Sequence, residues 1–322
     1  MSIRPILELR SRVRAGLRGV FEAAGFVEVD TPVLSAEVLP EPHIDPIPVP
    51  LDGADRPPAW LQASPEALMK RLLAAGSGPI WQFARSFRAG ERGRLHDVEF
   101  VLVEWYAPGA TLADTAGLLD RLCAATLGSR GVERIACRRA FADLAGVDLL
   151  EAGVADLAAA GARLGLAPPP GLDAAEGGGR GGSDAWDRWF ELLLAEVVGP
   201  RLGHGPPTML EDWPASQAAF ARLHPDDPRL ARRFELFIAG VEIANGWEEE
   251  TRREVLAARI DEANRVRAAD GRGVLPVPAR LLEAHGPAMP AGVGAALGFD
   301  RLTMLAAGAD GIDAVRCFRS GD

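Results

Sequence analysis

Apolar residues recur at helical spacing near the start of the chain. Ile6, Leu9, Val13, Leu17, Val20 and Phe21 fall on one face of a helix predicted over residues 5–24, with Pro5 in its first turn and Gly25 behind it. Residues 26–32 (FVEVDTP) then read as a short strand that stops at Pro32. Residues 40–58 are dense in proline and carry no period, so they predict loop or edge strand. A helix starts near Ser64, with Ser64 as N-cap, Pro65 in the first position and Glu66 in the first turn; Gly76 ends it. A hairpin follows: a strand over 82–88, a charged, Gly-punctuated turn over 89–94 and a strand over 99–106. Phe100, Leu102, Glu104 and Tyr106 lie two apart and so share a face.

Further on, residues 111–127 are helical and residues 139–165 form small helical pieces. Residues 167–183 (APPPGLDAAEGGGRGGS) are of low complexity and read as a surface insertion, not a phosphate loop, since no nucleotide-fingerprint spacing follows a strand. Helix is predicted over 184–198 and again, briefly, from Pro214. Strands over 233–240 and 241–247 meet at Ala239-Gly240, and a long helix covers about 250–269. A Gly-rich strand from Gly292 runs into a helix opened by Asp300-Arg301 and ending near Gly308.

Composition narrows the function classes. The chain has 322 residues, 48% hydrophobic and 25% charged, which is enough for a large core. No apolar run reaches membrane-spanning length and the first residues lack a signal-peptide core, so a cytoplasmic protein without membrane contact is expected. Cys123, Cys137 and Cys317 are scattered and odd in number, which fits a reducing compartment. A net charge of −10 disfavours extensive nucleic-acid contact. Arg10, Arg12, Arg14 and Arg18 on the first helix read as a solvated face.

Several positions carry chemistry. The hairpin face joins an aromatic ring, a carboxylate and the chain's single tyrosine, which suits a pocket floor as well as an ordinary salt-bridged hairpin. Glu66 alone is explained by the helix dipole. Glu235 and Glu242 interrupt apolar strands; they sit either on a solvent-facing edge or beside a cation. Glycines 292, 294 and 298 keep a strand thin, and Arg301 at the following helix start can meet a phosphate.

Taken in order, these blocks resemble the three motifs of class II aminoacyl-tRNA synthetases. SPEALMKRLL, SFR, EFVLVEWY, RFELFIAGVEIANGW and GAALGFDRLTML are similar to the lysine branch, over residues 5–318 and least so over 139–200. The resemblance implies an α+β fold, an antiparallel sheet flanked by helices, built as a single catalytic domain over 1–322. The first motif begins almost at Met1, which leaves no room for the anticodon-binding barrel of lysyl-tRNA synthetases. In this the chain resembles the elongation factor P–(R)-β-lysine ligases, as it does at Ser64-Pro65-Glu66, Glu104-Trp105-Tyr106, Pro214-Ala215-Ser216-Gln217 and Ala296, where lysyl-tRNA synthetases tend to have glycine.

That resemblance implies activation of lysine or (R)-β-lysine by ATP with Mg2+, then transfer to a lysine of elongation factor P, without tRNA. Arg88 and Arg301 are the implied catalytic arginines. ATP is implied at Arg88, Glu91, His96, Phe100, Glu235, Glu242, Gly298 and Arg301, with Glu235 and Glu242 holding the metal. The substrate is implied at Ser64, Glu66, Glu104, Tyr106, Asn245, Trp247, Glu249 and Ala296. The helix–strand–Pro32 unit implies a homodimer. Two rivals stay open: a truncated lysyl-tRNA synthetase paralogue serving another acceptor, and a non-catalytic lysine-binding paralogue. The chain departs from the family's Phe-Arg-Asn-Glu at Ala89-Gly90, from its His-Asn-Pro-Glu-Phe at Asp97-Val98, and from its usual phenylalanine at Trp247; Glu248 and Ala107 are further departures.

Overall fold

The computed structural model describes residues 3–51, 58–170, 172 and 182–321, and in it the chain falls into two units. The first comprises Met1–Gly128 and Glu248–Asp322, the second Ser129–Trp247. The first unit opens with α1 (Arg4–Ala23), β1 (Val27–Glu28), β2 (Leu34–Ser35), β3 (Ile47–Val49), β4 (Ala59–Leu61), α2 (Glu66–Ala74), β5 (Ile80–Phe87), β6 (Glu99–Pro108) and α3 (Leu112–Leu127). The second holds β7 (Glu133–Ala136), α4 (Cys137–Ala145), α5 (Val154–Arg163), α6 (Gly182–Leu193), β8 (Thr208–Pro214), β9 (Leu230–Ile238) and β10 (Val241–Glu248). The chain then returns to the first unit with α7 (Arg253–Ala269), α8 (Ala279–Ala284), β11 (Gly292–Gly298) and α9 (Phe299–Ala306).

Strands in the first unit run in the order β1-β5-β6-β11, antiparallel except for β1 against β5. In the second the order is β10-β9-β8-β7, antiparallel except for β7 against β8. Both units are therefore α+β, with mostly antiparallel sheets and helices beside them. No helix among the described residues is long and apolar enough to cross a membrane.

The first helix packs as its period requires: Val13, Leu17 and Phe21 are buried, and Phe21 stacks on Trp81 of β5 at 4.6 Å. Burying side chains of this size stabilises the fold by about 2 kcal/mol each. The arginine run on the same helix is not a solvated face. Arg10 donates to Asp300 at 2.7 Å, Arg14 lies 3.8 Å over the Phe83 ring, and Arg18 donates to both oxygens of Glu28 at 2.8 Å. Arg12 is exposed and the Arg18 side chain keeps 40% exposure, whereas Arg10 and Arg14 are half-buried.

Other boundaries move for local reasons. The strand expected over 26–32 shrinks to Val27–Glu28, because the Thr31 N–H donates to the Gln82 side chain at 3.1 Å and leaves the ladder. At α2 the cap is Pro65, not Ser64, yet the Ser64 hydroxyl still accepts the Glu66 N–H at 3.0 Å. The hairpin connection is longer than its charged turn and occupies residues 88–98. α7 begins at Arg253, since the Glu250 carboxylate takes the Arg252 N–H at 3.0 Å first. The helix expected over 184–198 ends as a single π turn at Leu194–Val198. Of the low-complexity insertion, residues 171 and 173–181 lie outside the described residues.

Candidate active site

β6 and β11 lie side by side with Glu104 opposite Ala296 and Tyr106 opposite Gly294. Period-two alternation puts these four on one face. The Tyr106 hydroxyl donates to one Glu104 oxygen at 2.8 Å, and the Ser64 hydroxyl donates to the other at 2.9 Å. Ser64 comes from the turn before α2, so one hydroxyl both supports that helix start and orients the carboxylate.

α2 adds a residue that the sequence reading missed. Lys70 is 1% exposed, and its ammonium bridges Glu66 at 2.6 Å and Glu249 at 2.7 Å. Glu66 therefore does more than complement a helix dipole: it is half of a buried i,i+4 pair. Glu249 reaches the group from the start of the returning segment, held by its own N–H, which donates to the Gly292 carbonyl at 2.9 Å. Glycine at 294 makes room for this, since a Cβ there would lie 2.2 Å from a Glu249 oxygen and 2.4 Å from the Tyr106 ring. At 292 the constraint is backbone, with Ala107 O 2.3 Å from a hypothetical Cβ. At 298 a Cβ would make only ordinary contact with Arg301, so that glycine keeps open space.

The electrostatics follow from burial. Three glutamates, 66, 104 and 249, are buried around one ammonium. Burial and the neighbouring Glu66 charge push the Glu104 carboxyl up to about 8, against its two hydroxyl donors and Lys70. Burial and Glu104 raise Tyr106 well above the ordinary phenol range, so it stays a donor. Burial works against the Lys70 charge; Glu249 and Glu66 outweigh it and hold Lys70 charged, above the ordinary lysine value. His285, another residue the sequence did not single out, donates its Nε2–H to the Glu250 carbonyl at 3.0 Å. Burial and the Lys70 charge push it down to about 4, so it is neutral beside the cluster.

A second group of the same unit surrounds the 88–98 loop. Arg88 lies 5.0 Å over the Phe100 ring and 3.6 Å from Glu91. Between Arg88 and Glu91 the chain turns at Gly90, which lies in the left-handed region at φ +77°. Arg301 donates to the Leu95 carbonyl at 3.2 Å and to His96 Nε2 at 2.6 Å. Both arginines thus meet one loop, from opposite ends of it. The Arg88 Nε–H is buried without an acceptor. A buried donor of this kind fits a phosphate or carboxylate oxygen, which tests favourably for a nucleotide.

In the second unit, Glu235 on β9 and Glu242 on β10 point to one side of their sheet, because Glu242 pairs with Phe237, two residues from Glu235. Glu235 also meets Arg233 at 2.7 Å. Arg233 stacks over Trp213 at 4.1 Å and reaches Asn245 at 3.3 Å, so it orients both a candidate metal ligand and a candidate substrate ligand; the sequence reading passed over it. Trp247 packs against Phe220 at 6.2 Å. No group of three or more metal-binding side chains occurs among the described residues. Two carboxylates alone fit Mg2+, which is held by one or two of them together with substrate phosphates.

Residues 1–320 match the family model for class II tRNA synthetases (D, K and N), and the chain belongs to that family. Its relatives include proteins of one narrower kind. It is 37% identical to the elongation factor P–(R)-β-lysine ligase of Vibrio atlanticus over 97% of this chain and 94% of the relative. It is 36% identical to the ligase of the same name from Sodalis glossinidius, over 98% and 95%, and 35% identical to that of an Enterobacter species, over 98% and 94%.

Proposed function

We propose that this chain is a cytoplasmic ATP-dependent ligase that activates (R)-β-lysine, or lysine, and joins it to a lysine side chain of elongation factor P. The observation that carries the reading is the charge imbalance around Lys70. Three buried carboxylates face one ammonium; with Glu104 ionised two negative charges remain to be met, and an amino acid with two ammonium groups meets them as it displaces the Glu104 proton. The names of the relatives supply the acceptor and the isomer.

In the first step a substrate carboxylate oxygen attacks the α-phosphorus; an acyl–oxygen–phosphorus link forms and diphosphate leaves. Arg88, whose Nε–H lacks a protein acceptor, bridges the carboxylate and the α-phosphate with its planar fork. Phe100 stacks on adenine, Arg301, held by His96, binds the far phosphate, and Glu91 and Gly298 line the nucleotide site. Glu66, Glu104, Tyr106, Ser64, Ala296 and Glu249 receive the ammonium groups, and Asn245 and Trp247 contact the substrate. Glu235 and Glu242 would hold Mg2+, which would supply neutralisation of phosphate charge. In the second step the acceptor amine attacks the acyl carbon; a C–N bond forms, AMP leaves and the amine proton passes to solvent. No protein nucleophile is required, and positioning with charge neutralisation supplies the rate.

Residues 1–322 act as a single catalytic domain, and the chain forms a homodimer through the segment around Pro32. Exposed Val27, Val33 and Leu34 support that surface, at 58%, 36% and 40% exposure. Intact-mass measurement of elongation factor P, incubated with this protein, ATP and each lysine isomer, tests the whole reading. A mass gain of one lysyl residue is expected. Unchanged mass with every isomer, while tRNA or a free amine is acylated, would reject the acceptor; absence of ATP–diphosphate exchange would reject the ligase.

A further inference from the structure

Asp97 stands where the family pattern has asparagine, next to Val98 in place of proline. The structure gives both changes a physical reason. Asp97 is 6% exposed, and its Oδ1 accepts the Val98 N–H at 2.8 Å, a hydrogen that proline would lack. Its Oδ2 accepts the Ser320 N–H at 3.0 Å and pairs with Arg316. Arg316 also donates to the Glu99 carbonyl at 2.9 Å, and the Glu99 N–H donates to the Ser320 hydroxyl at 3.2 Å. Farther along the loop the Ile312 N–H donates to the Arg94 carbonyl at 3.1 Å. Residues 312–320 are thus bonded to both the middle and the end of the 88–98 loop. Burial would push the Asp97 carboxyl up, but the Ser320 and Val98 N–H groups and the Arg316 guanidinium outweigh it and hold it below the usual range.

A loop that loses a proline gains conformational freedom, and this loop carries Arg88, Glu91 and His96. We propose that Asp97 is a positioning residue for the nucleotide: with Arg316 and Ser320 it clasps residues 312–320 onto the loop and so holds His96, and through it Arg301, in place. The inference rests on the reading of Arg88 and Arg301 as nucleotide contacts. It does not require any particular acyl acceptor.

The test uses the full chain with Asp97→Ala, Arg316→Ala and Arg316→Lys. Hydrogen exchange without nucleotide should quicken at least ~10-fold for amides 91–99 in both alanine variants, while amides of residues 101–107 in β6 stay unchanged. In lysine-dependent ATP–diphosphate exchange, KM for ATP should rise about 10-fold with KM for the amino acid unchanged, and Arg316→Lys should recover most of the loss. A loosened loop with unchanged KM for ATP would overturn the proposal, as would a loop that does not loosen. Should Asp97→Ala fail to fold, Arg316→Gln gives the same two readouts. Should the unmodified protein show no exchange with any isomer, the ligase reading falls, and direct ATP binding with hydrogen exchange still decides the clasp: weaker ATP binding in the loosened variants supports it, equal binding overturns it.

Discussion

Glu104 sets a pH dependence that can be worked out in advance. With its carboxyl near 8, the empty pocket holds a proton there at pH 7, and an arriving ammonium must displace it. Each pH unit below that value costs about 1.4 kcal/mol, so affinity for lysine or (R)-β-lysine should rise about tenfold from pH 6 to pH 7 and level off above about pH 8. The ε-ammonium of the ligand stays charged throughout, since its ordinary value is about 10.4. Calorimetric titration in two buffers of different ionisation enthalpy should show close to one proton released per ligand at pH 6.5. Glu104→Gln keeps a hydrogen-bonding side chain but no charge. It should bind the ligand about 100-fold more weakly at pH 8.5, differ little at pH 6, and lose the proton release.

Stability must move the opposite way. Because the Glu104 carboxyl is raised above its unfolded value, the folded state binds the extra proton between about pH 4.3 and pH 8. The ligand-free fold therefore loses stability as pH rises through that window, by an amount on the order of a few kcal/mol. Glu104→Gln should be more stable than the parent at pH 8.5 and equal to it at pH 4. Ligand affinity that does not change between pH 6 and pH 8, or a stability difference that is the same at both ends, would refute the reasoning.

Three further outcomes are expected. Lys70→Met leaves Glu66 and Glu249 buried together without their ammonium and should destabilise the protein by about 3–5 kcal/mol in chemical denaturation. Gly294→Ala drives a methyl into Glu249 and Tyr106; overpacking of about 1–3 kcal/mol should raise KM for the amino acid at least tenfold and leave KM for ATP unchanged. His285, pushed down to about 4, binds fewer protons folded than unfolded, so its contribution is lost as pH falls from about 6.5. His285→Gln should accordingly show a smaller stability loss than the parent between pH 7 and pH 4.5, read by the same denaturation.

What the sequence made legible, and what it hid, divides by distance along the chain. Glu104 and Tyr106 could be placed side by side because strand alternation is a local backbone property, and their hydrogen bond bears this out. The Gly-rich strand and the helix start at Arg301 were visible for the same reason. Glu66 and Lys70 stand four apart, but such pairs usually lie on the surface, and nothing near residue 70 announces that Glu249 will arrive to bury them. The 88–98 loop looked like a short turn because residues that hold it open come from beyond position 310. Arginines 10 and 14 looked solvated because their partners, Asp300 and Phe83, are remote in sequence.

Three carboxylates built to receive a diamine pose a problem when the diamine is absent, since buried like charges repel and lose their hydration. The pocket meets it with two different cations. Lys70 is permanent: it is covalently fixed, fully buried and held charged by the pair it bridges, so it offsets one of the two charges of Glu66 and Glu249 whether or not ligand is present. The proton on Glu104 is removable, and it occupies almost no volume. A second lysine in its place would stabilise the empty fold as well, but it would fill the space that the ligand needs and compete with it for the same carboxylate. A proton instead leaves when a stronger cation arrives. Glu104, held by the hydroxyls of Ser64 and Tyr106 rather than by a lysine, is thus the glutamate whose charge is released for the ligand, while Glu66 and Glu249 face the ligand already paired with Lys70.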